Sequence, residues 1–159
     1  MADILKGKRI LAVDDEPDVL DIIKEQLEAC AVMTASKYEE AEELLLRHSF
    51  DLVLLDIMGV NGFVLLEICG ERRSPAAMLT AHSINIDSIN KAVLLGAVSF
   101  LPKDQLANLE VHVAEIFESL AEGRSHWRKL FDRMGDFFEE RLGITWEEIQ
   151  RTPNSPWMY

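Results

Sequence analysis

Short blocks of consecutive apolar residues alternate along the chain with stretches whose apolar positions recur every three to four residues. "RILAV" at 9–13, "AVMTA" at 31–35, "LVLLD" at 52–56, "AAMLTA" at 76–81 and "AVSFLPK" at 97–103 are blocks of the first kind. Each reads as a strand covered on both faces, because a half-exposed strand would alternate apolar and polar positions. Between them, Val19, Leu20, Ile23 and Leu27 fall at helical spacing, with Pro17 where a first turn tolerates it. Ala41, Leu44 and Leu45 continue a second helical face, for which Ser36 and Glu39 offer a capping box. A short third helix is expected in "FVLLEIC", and a fourth over 86–96, closed by Gly96. A longer helix begins near Leu106 and presents Leu106, Leu109, Val113, Ile116, Phe117 and Leu120 as one stripe until Gly123 interrupts it. Five alternations of strand and helix predict a doubly wound α/β fold with a parallel sheet and right-handed crossovers.

In such sheets the ligand site lies beyond the carboxyl ends of the strands. That edge receives Asp14, Asp15 and Glu16 from the first strand and Asp56 from the third. Thr80 closes the fourth strand and Lys103 the fifth. One such residue alone would be an unremarkable cap or turn residue; their joint arrival from four segments is the signal. Carboxylates about 4 Å apart repel by ~4 kcal/mol at an effective dielectric near 20, so the cluster calls for cations. Lys103 supplies one charge. A hard divalent ion with oxygen ligands supplies the rest, Mg2+ fitting best, and the set suits phosphoryl transfer.

"ILAVDDEP", "DLVLLDIM", "MLTA" and "SFLPK" resemble the four signature segments of the receiver domain of two-component response regulators, the CheY-like family, over about residues 8–121. The resemblance implies a flavodoxin-like sheet of order 2-1-3-4-5. It implies Asp56 as the nucleophile that accepts a phosphoryl group from a sensor histidine kinase or phosphotransfer protein, as well as self-phosphorylation and self-dephosphorylation. Asp14, Asp15, Asp56 and the Met58 carbonyl are the implied Mg2+ ligands. Thr80 and Lys103 are the implied phosphoryl-binding groups, Phe100 the aromatic switch residue, and Met58 and His82 the side chains that tune dephosphorylation.

Two departures from the family pattern stand out. "DIMGVNG" is two residues shorter than usual and lacks a proline. Gly59 and Gly62 offer the backbone freedom for a tight turn there, and the start of the third helix is the geometry placed in doubt. Asp104 stands where a proline usually follows the lysine, so a trans bond is expected. Asp104 itself reads as a helix cap before it reads as a competitor for Lys103.

Residues 1–122 are thus expected to form the receiver and 123–159 a helical C-terminal extension. Trp127, Leu130, Phe131, Met134, Phe138 and Leu142 make an aromatic-rich stripe there, and Thr145 with Glu148 caps a last short helix. Such a stripe either caps the core or mates with a partner, and its aromatic content favours a partner, a homodimer being one case. Residues 108–159 carry six Lys or Arg against ten acidic residues, and the whole chain has a net charge of −12. A DNA-binding output is therefore rejected. No apolar run approaches the ~20 residues that span a bilayer, and no signal peptide is evident. Cys30 and Cys69 read as buried free thiols, in keeping with a cytoplasmic protein. His48, His112 and His126 are assigned no chemistry. The rival to a phosphorylated switch is a non-switching scaffold acting through the aromatic helices; retention of the whole site set argues against it. A freestanding phosphatase would need a second acid for the leaving group.

Overall fold

The computed structural model describes residues 2–80, 85–124, 126, 127, 129, 130 and 132. A five-stranded parallel sheet forms their centre, in the order β2-β1-β3-β4-β5. The strands are β1 (Arg9–Val13), β2 (Ala31–Ala35), β3 (Leu52–Asp56), β4 (Ala76–Thr80) and β5 (Ser99–Pro102). All of β3, β4 and β5 is buried, as their unbroken apolar character requires, whereas the edge strand β2 is mostly half-covered.

The helices are α1 (Ala2–Leu5), α2 (Pro17–Gln26), α3 (Tyr38–Arg47), α4 (Gly62–Glu71), α5 (Ile86–Leu94) and α6 (Leu109–Glu122). One apolar layer joins Leu11, Val13, Val53 and Leu55 of the sheet to α3, α4 and α5. The other joins Ile10, Ala12, Leu52 and Leu54 to α1, α2 and α6. Alternate residues of each strand point to opposite layers, so every strand serves both cores at once.

Local chemistry sets most helix ends. Pro17 occupies the first turn of α2, with Asp18 in that turn and Lys24 in the last. The Asn85 side chain accepts from the Ser88 N–H at 2.8 Å to start α5. Gly96 follows that helix with φ +100°, and Gly123 (φ 68°) ends α6, both left-handed positions that favour glycine.

Several expectations are corrected. The capping box of α3 does not form: Lys37 is the N-cap without a side-chain bond, and Ser36 Oγ instead donates to Glu40 at 3.1 Å. The helix after β3 is not short but ten residues long. A six-residue 3-10 helix, Lys103–Asn108, entered through Pro102, precedes α6, so Asp104 is not its N-cap. All described peptide bonds are trans, as expected after Lys103. The short α1 was not anticipated, four residues being too few for a periodic signal; Leu5 buries it in the second core layer. Cys69 is buried and Cys30 only half-buried, both free thiols. Leu120 leaves the buried stripe of α6 and is 38% exposed. His112 and His126, to which the sequence assigns no chemistry, are both buried, their rings edge to face at 5.0 Å.

Candidate functional site: a carboxylate edge held by one ammonium

Asp14 follows β1 and is fully buried, its N–H donating to the Ala35 carbonyl at the end of β2. Its Oδ1 accepts from the Glu16 N–H at 2.9 Å, a local turn that fixes the carboxylate before α2 begins. Asp56 is the last residue of β3 and is buried, with Oδ2 accepting from the Gly59 N–H at 3.2 Å. Thr80 ends β4 beside Pro102, so Lys103 leaves the sheet at the same edge. Parallel strands all deliver their carboxyl ends to one side, and that alone gathers these four segments.

Lys103 holds the edge together. Its Nζ lies 2.9 Å from Asp14 Oδ2, 3.0 Å from Glu16 Oε1 and 3.5 Å from Asp56 Oδ1. Burial alone would depress its ammonium, but the bonds to Asp14 and Glu16 and the charge of Asp56 outweigh that and raise its pKa above the ordinary 10.5. Asp14 is shifted the other way from a typical paired carboxylate. Burial raises its pKa above 3.8 and Asp56 adds to the rise, more than Lys103 and the Glu16 N–H can offset. The edge is therefore short of positive charge even with Lys103 in place.

Asp14, Asp15 and Glu16 bring oxygen ligands within 4.8 Å of one another. Such an all-oxygen acidic set fits a hard divalent cation. The sequence expectation grouped Asp56 with Asp14 and Asp15; in the structure Glu16 completes that triplet, and Asp56 meets it through Lys103. Only the fold could reveal the role of Glu16, because its partner lies 87 positions away.

The shortened loop after Asp56 works by close approach rather than by unusual backbone angles at its glycines. Asn61, not Gly59 or Gly62, takes the left-handed conformation, at φ 54°. A Cβ on Gly59 would lie 2.6 Å from the Asp15 carboxyl, so its absence lets that carboxylate sit against the loop. A Cβ on Gly62 would overlap the Asp56 carbonyl oxygen and stand 2.9 Å from Ile57 Cα. The first residue of α4 thus packs directly on the backbone that carries Asp56.

The remaining candidates are less tightly joined. Thr80 is fully buried, and its Oγ1 has no hydrogen-bond partner among the described residues. Met58 is 77% exposed on the rim. Phe100 is buried and stacks obliquely on Trp127, centroids 5.6 Å apart. His82 lies outside the described residues, as do Phe131, Met134, Phe138, Leu142 and the expected Thr145–Glu148 cap.

The family model "Response regulator receiver domain" matches residues 10–114. The two-component response regulator ARR18 of Arabidopsis thaliana is 39% identical over 119 residues, covering 69% of this chain and 19% of its own. The response regulator protein PilR of Pseudomonas aeruginosa is 35% identical over 105 residues, covering 62% and 23%. The chain thus spans about a fifth of the length of these curated relatives. Among solved structures, a CheY-like receiver domain protein from Methanospirillum hungatei superposes with a TM-score of 0.67 at 25% identity, covering 74% of this chain and 99% of its own. A response regulator from Thermotoga maritima gives 0.64 at 26%, covering 70% and 98%.

Proposed function

Because this chain belongs to the response regulator receiver family, we propose that Asp56 is its phosphoacceptor and that the protein signals through protein contacts governed by that group. The observation that carries the reading is the position of Lys103 Nζ, 3.5 Å from Asp56 Oδ1 at the strand edge. A carboxylate oxygen attacks phosphorus well only where an adjacent cation offsets the charge of the incoming group. In the transfer, an Asp56 oxygen forms the new P–O bond while the P–N bond of a donor phosphohistidine breaks, and the freed imidazole nitrogen takes up a proton. Lys103 pairs with the phosphoryl oxygens. The Thr80 hydroxyl, which has no partner among the described residues, donates to one of them. Hydrolysis by water later returns the free carboxylate.

Asp14, Asp15, Asp56 and the Met58 carbonyl are the groups that would hold Mg2+, which when bound neutralises charge on the transferring phosphoryl oxygens. The oxygen ligands of Asp14 and Asp15, gathered with Glu16, and the raised pKa of Asp14 support the acidic part of this assignment. Glu16 serves in the same reading as the anchor of Lys103. Met58, exposed on the rim, and His82 set the access of the hydrolytic water. The donor is a sensor histidine kinase or a phosphotransfer protein. Residues 1–122 form the receiver and 123–159 the extension through which output passes, and the setting is cytoplasmic. No described helix is long and apolar enough to cross a membrane, and the acidic extension suits a protein partner better than DNA.

Incubation with Mg2+ and acetyl phosphate should add one phosphoryl group to the intact mass of the full chain. Asp56→Asn should abolish that adduct entirely. An adduct of undiminished yield on the variant would end the assignment of Asp56, and no adduct on either protein would leave the non-switching scaffold as the better reading.

A further inference from the structure

The chain just past α6 is seated on the layer that contains Phe100. Trp127 is buried, its Nε1–H donating to the Ala97 carbonyl at 3.2 Å and its ring lying 5.6 Å from Phe100 at an interplanar angle of 37°. Leu130 is buried in the same cluster, and its N–H bonds back to the His126 carbonyl. The His126 ring meets His112 of α6, whose Nε2 lies 3.2 Å from Ser99 Oγ on β5. Two aromatic contacts and one hydrogen bond therefore tie this turn to β5, to α6 and to the connection before β5.

Phe100 also shares a face of the sheet with Thr80. It pairs with Met78 in the β4–β5 register, and Thr80, two residues on in β4, projects from the same face as Met78. The side chains of Thr80 and Phe100 are thus diagonal neighbours on one side of the sheet. The buried Thr80 hydroxyl has no partner among the described residues, an unfavourable state that a new acceptor at Asp56 would relieve. A shift of Thr80 toward that acceptor frees volume on the face where Phe100 packs. Close-packed interiors do not keep such voids, so the ring has reason to follow.

We propose that Trp127 is the extension's reader of the phosphorylation state: its indole holds the turn on Phe100 while Asp56 is free and loosens when Thr80 and Phe100 repack around a phosphoryl group. The occupant of this surface in the resting protein is the chain's own His126, Trp127 and Leu130. A groove of about 400 Å3, walled by Trp127 with Val93, Val98, Ile116 and Leu120, gives the indole room to shift without dismantling the core. Coupling of this kind is reciprocal. The seated Trp127 favours the unphosphorylated packing, so removing it eases phosphoryl uptake. The inference rests on Asp56 being the phosphoacceptor.

The sequence holds three tryptophans, at 127, 146 and 157. In full-length protein carrying Trp146→Phe and Trp157→Phe, Trp127 is the sole indole. Phosphorylation with Mg2+ and acetyl phosphate, followed by intact mass on the same sample, should raise acrylamide quenching of Trp127 about twofold or more, in step with the adduct. Compared at equal adduct, Thr80→Val should leave the quenching unchanged however far its own uptake is slowed, since the hydroxyl link is gone. Trp127→Ala should bind the phosphoryl mimic beryllofluoride, with Mg2+ present, about fivefold or more tightly by calorimetry, the lower end of ordinary coupling strengths, with Trp127→Phe in between because it keeps a ring on Phe100. A full adduct with unaltered quenching, or Trp127→Ala and Trp127→Phe both binding the mimic with the parent affinity, overturns the coupling while leaving Asp56 as phosphoacceptor. A Thr80→Val protein that still shows the full quenching change overturns the route through Thr80. If no adduct forms at all, the function assigned to Asp56 falls, and this inference falls with it.

Discussion

The carboxylate edge and the aromatic seat meet on one strand, Phe100 standing three residues before Lys103, yet they are stabilised in opposite ways. The edge is a charge conflict: Asp14 and Asp56 are buried together, and a single ammonium joins them. The seat is a matter of shape, with Phe100, Trp127 and Leu130 buried in one apolar cluster and two imbedded imidazoles edge to face beside it. Electrostatic conflict can be relieved by binding something, whereas packing can only be exchanged for other packing. In the function proposed above, a phosphoryl group would be sensed at the edge and its consequence written in the seat.

Changing one atom at the edge should have the largest structural effect. Gly62→Ala places a methyl group on the Asp56 carbonyl and should cost about 3 kcal/mol, at the high end for overpacking, because the neighbour is backbone and cannot rotate away. Urea denaturation measures this. A loss below 1 kcal/mol would mean that the loop after Asp56 can yield, and the contrast between a rigid edge and an exchangeable seat would weaken.

Acid separates the two regions by sign. The pKa of His126 is pushed down to about 4 by burial and, to a smaller degree, by Lys129, with His112 facing it. The unfolded chain therefore binds that proton first, and the seat loses stability as pH falls from about 6.5 to about 4, by up to about 3 kcal/mol for a shift of this size. Asp14 has a raised pKa, so the folded edge binds its proton more tightly than the unfolded chain does. Its contribution to stability improves as pH falls through that raised value toward 3.8. Trp127 emission followed from pH 7 to pH 4 should report early loosening, and His126→Gln should remove it. An identical profile for the variant would show that the seat does not titrate through His126.

The smallest effect sharpens the edge. Asp14→Asn removes a charge that burial disfavours, while Lys103 keeps Glu16 and Asp56 as partners. The metal-free protein should gain stability in urea denaturation at pH 7, and Mg2+ affinity by titration calorimetry should fall about tenfold or more. A loss of stability instead would mean that the pair with Lys103 outweighs the burial of Asp14.

The residues that were legible in advance share a property: their signal is local. An apolar run that stops at Asp56 or Thr80 announces both the strand and what stands at its tip, and Pro17, Gly96 and Gly123 mark helix boundaries by their own backbone preferences. Glu16, Gly62, His126 and Trp127 carry no such mark. Nothing near Glu16 indicates that Lys103 will reach it. Gly62 looked like a turn residue, whereas the fold needs its missing side chain. His126 reads in the sequence as a histidine without chemistry, and only the fold buries its ring against His112 of α6. The aromatic stripe was expected to favour a partner, and its described members, Trp127 and Leu130, instead pack on Phe100's own cluster.

By itself, then, the order of residues determined the parallel sheet, the direction in which its strands point and the chemical character of the edge they share. Periodicity and chain direction act over a few residues, and no distant contact is needed to read them. The tertiary structure decided which carboxylates Lys103 joins, where a methyl group cannot fit, and that Trp127 rests on Phe100. Those outcomes turn on ångström-scale approaches between segments far apart in the chain, and such distances exist only once the chain has folded.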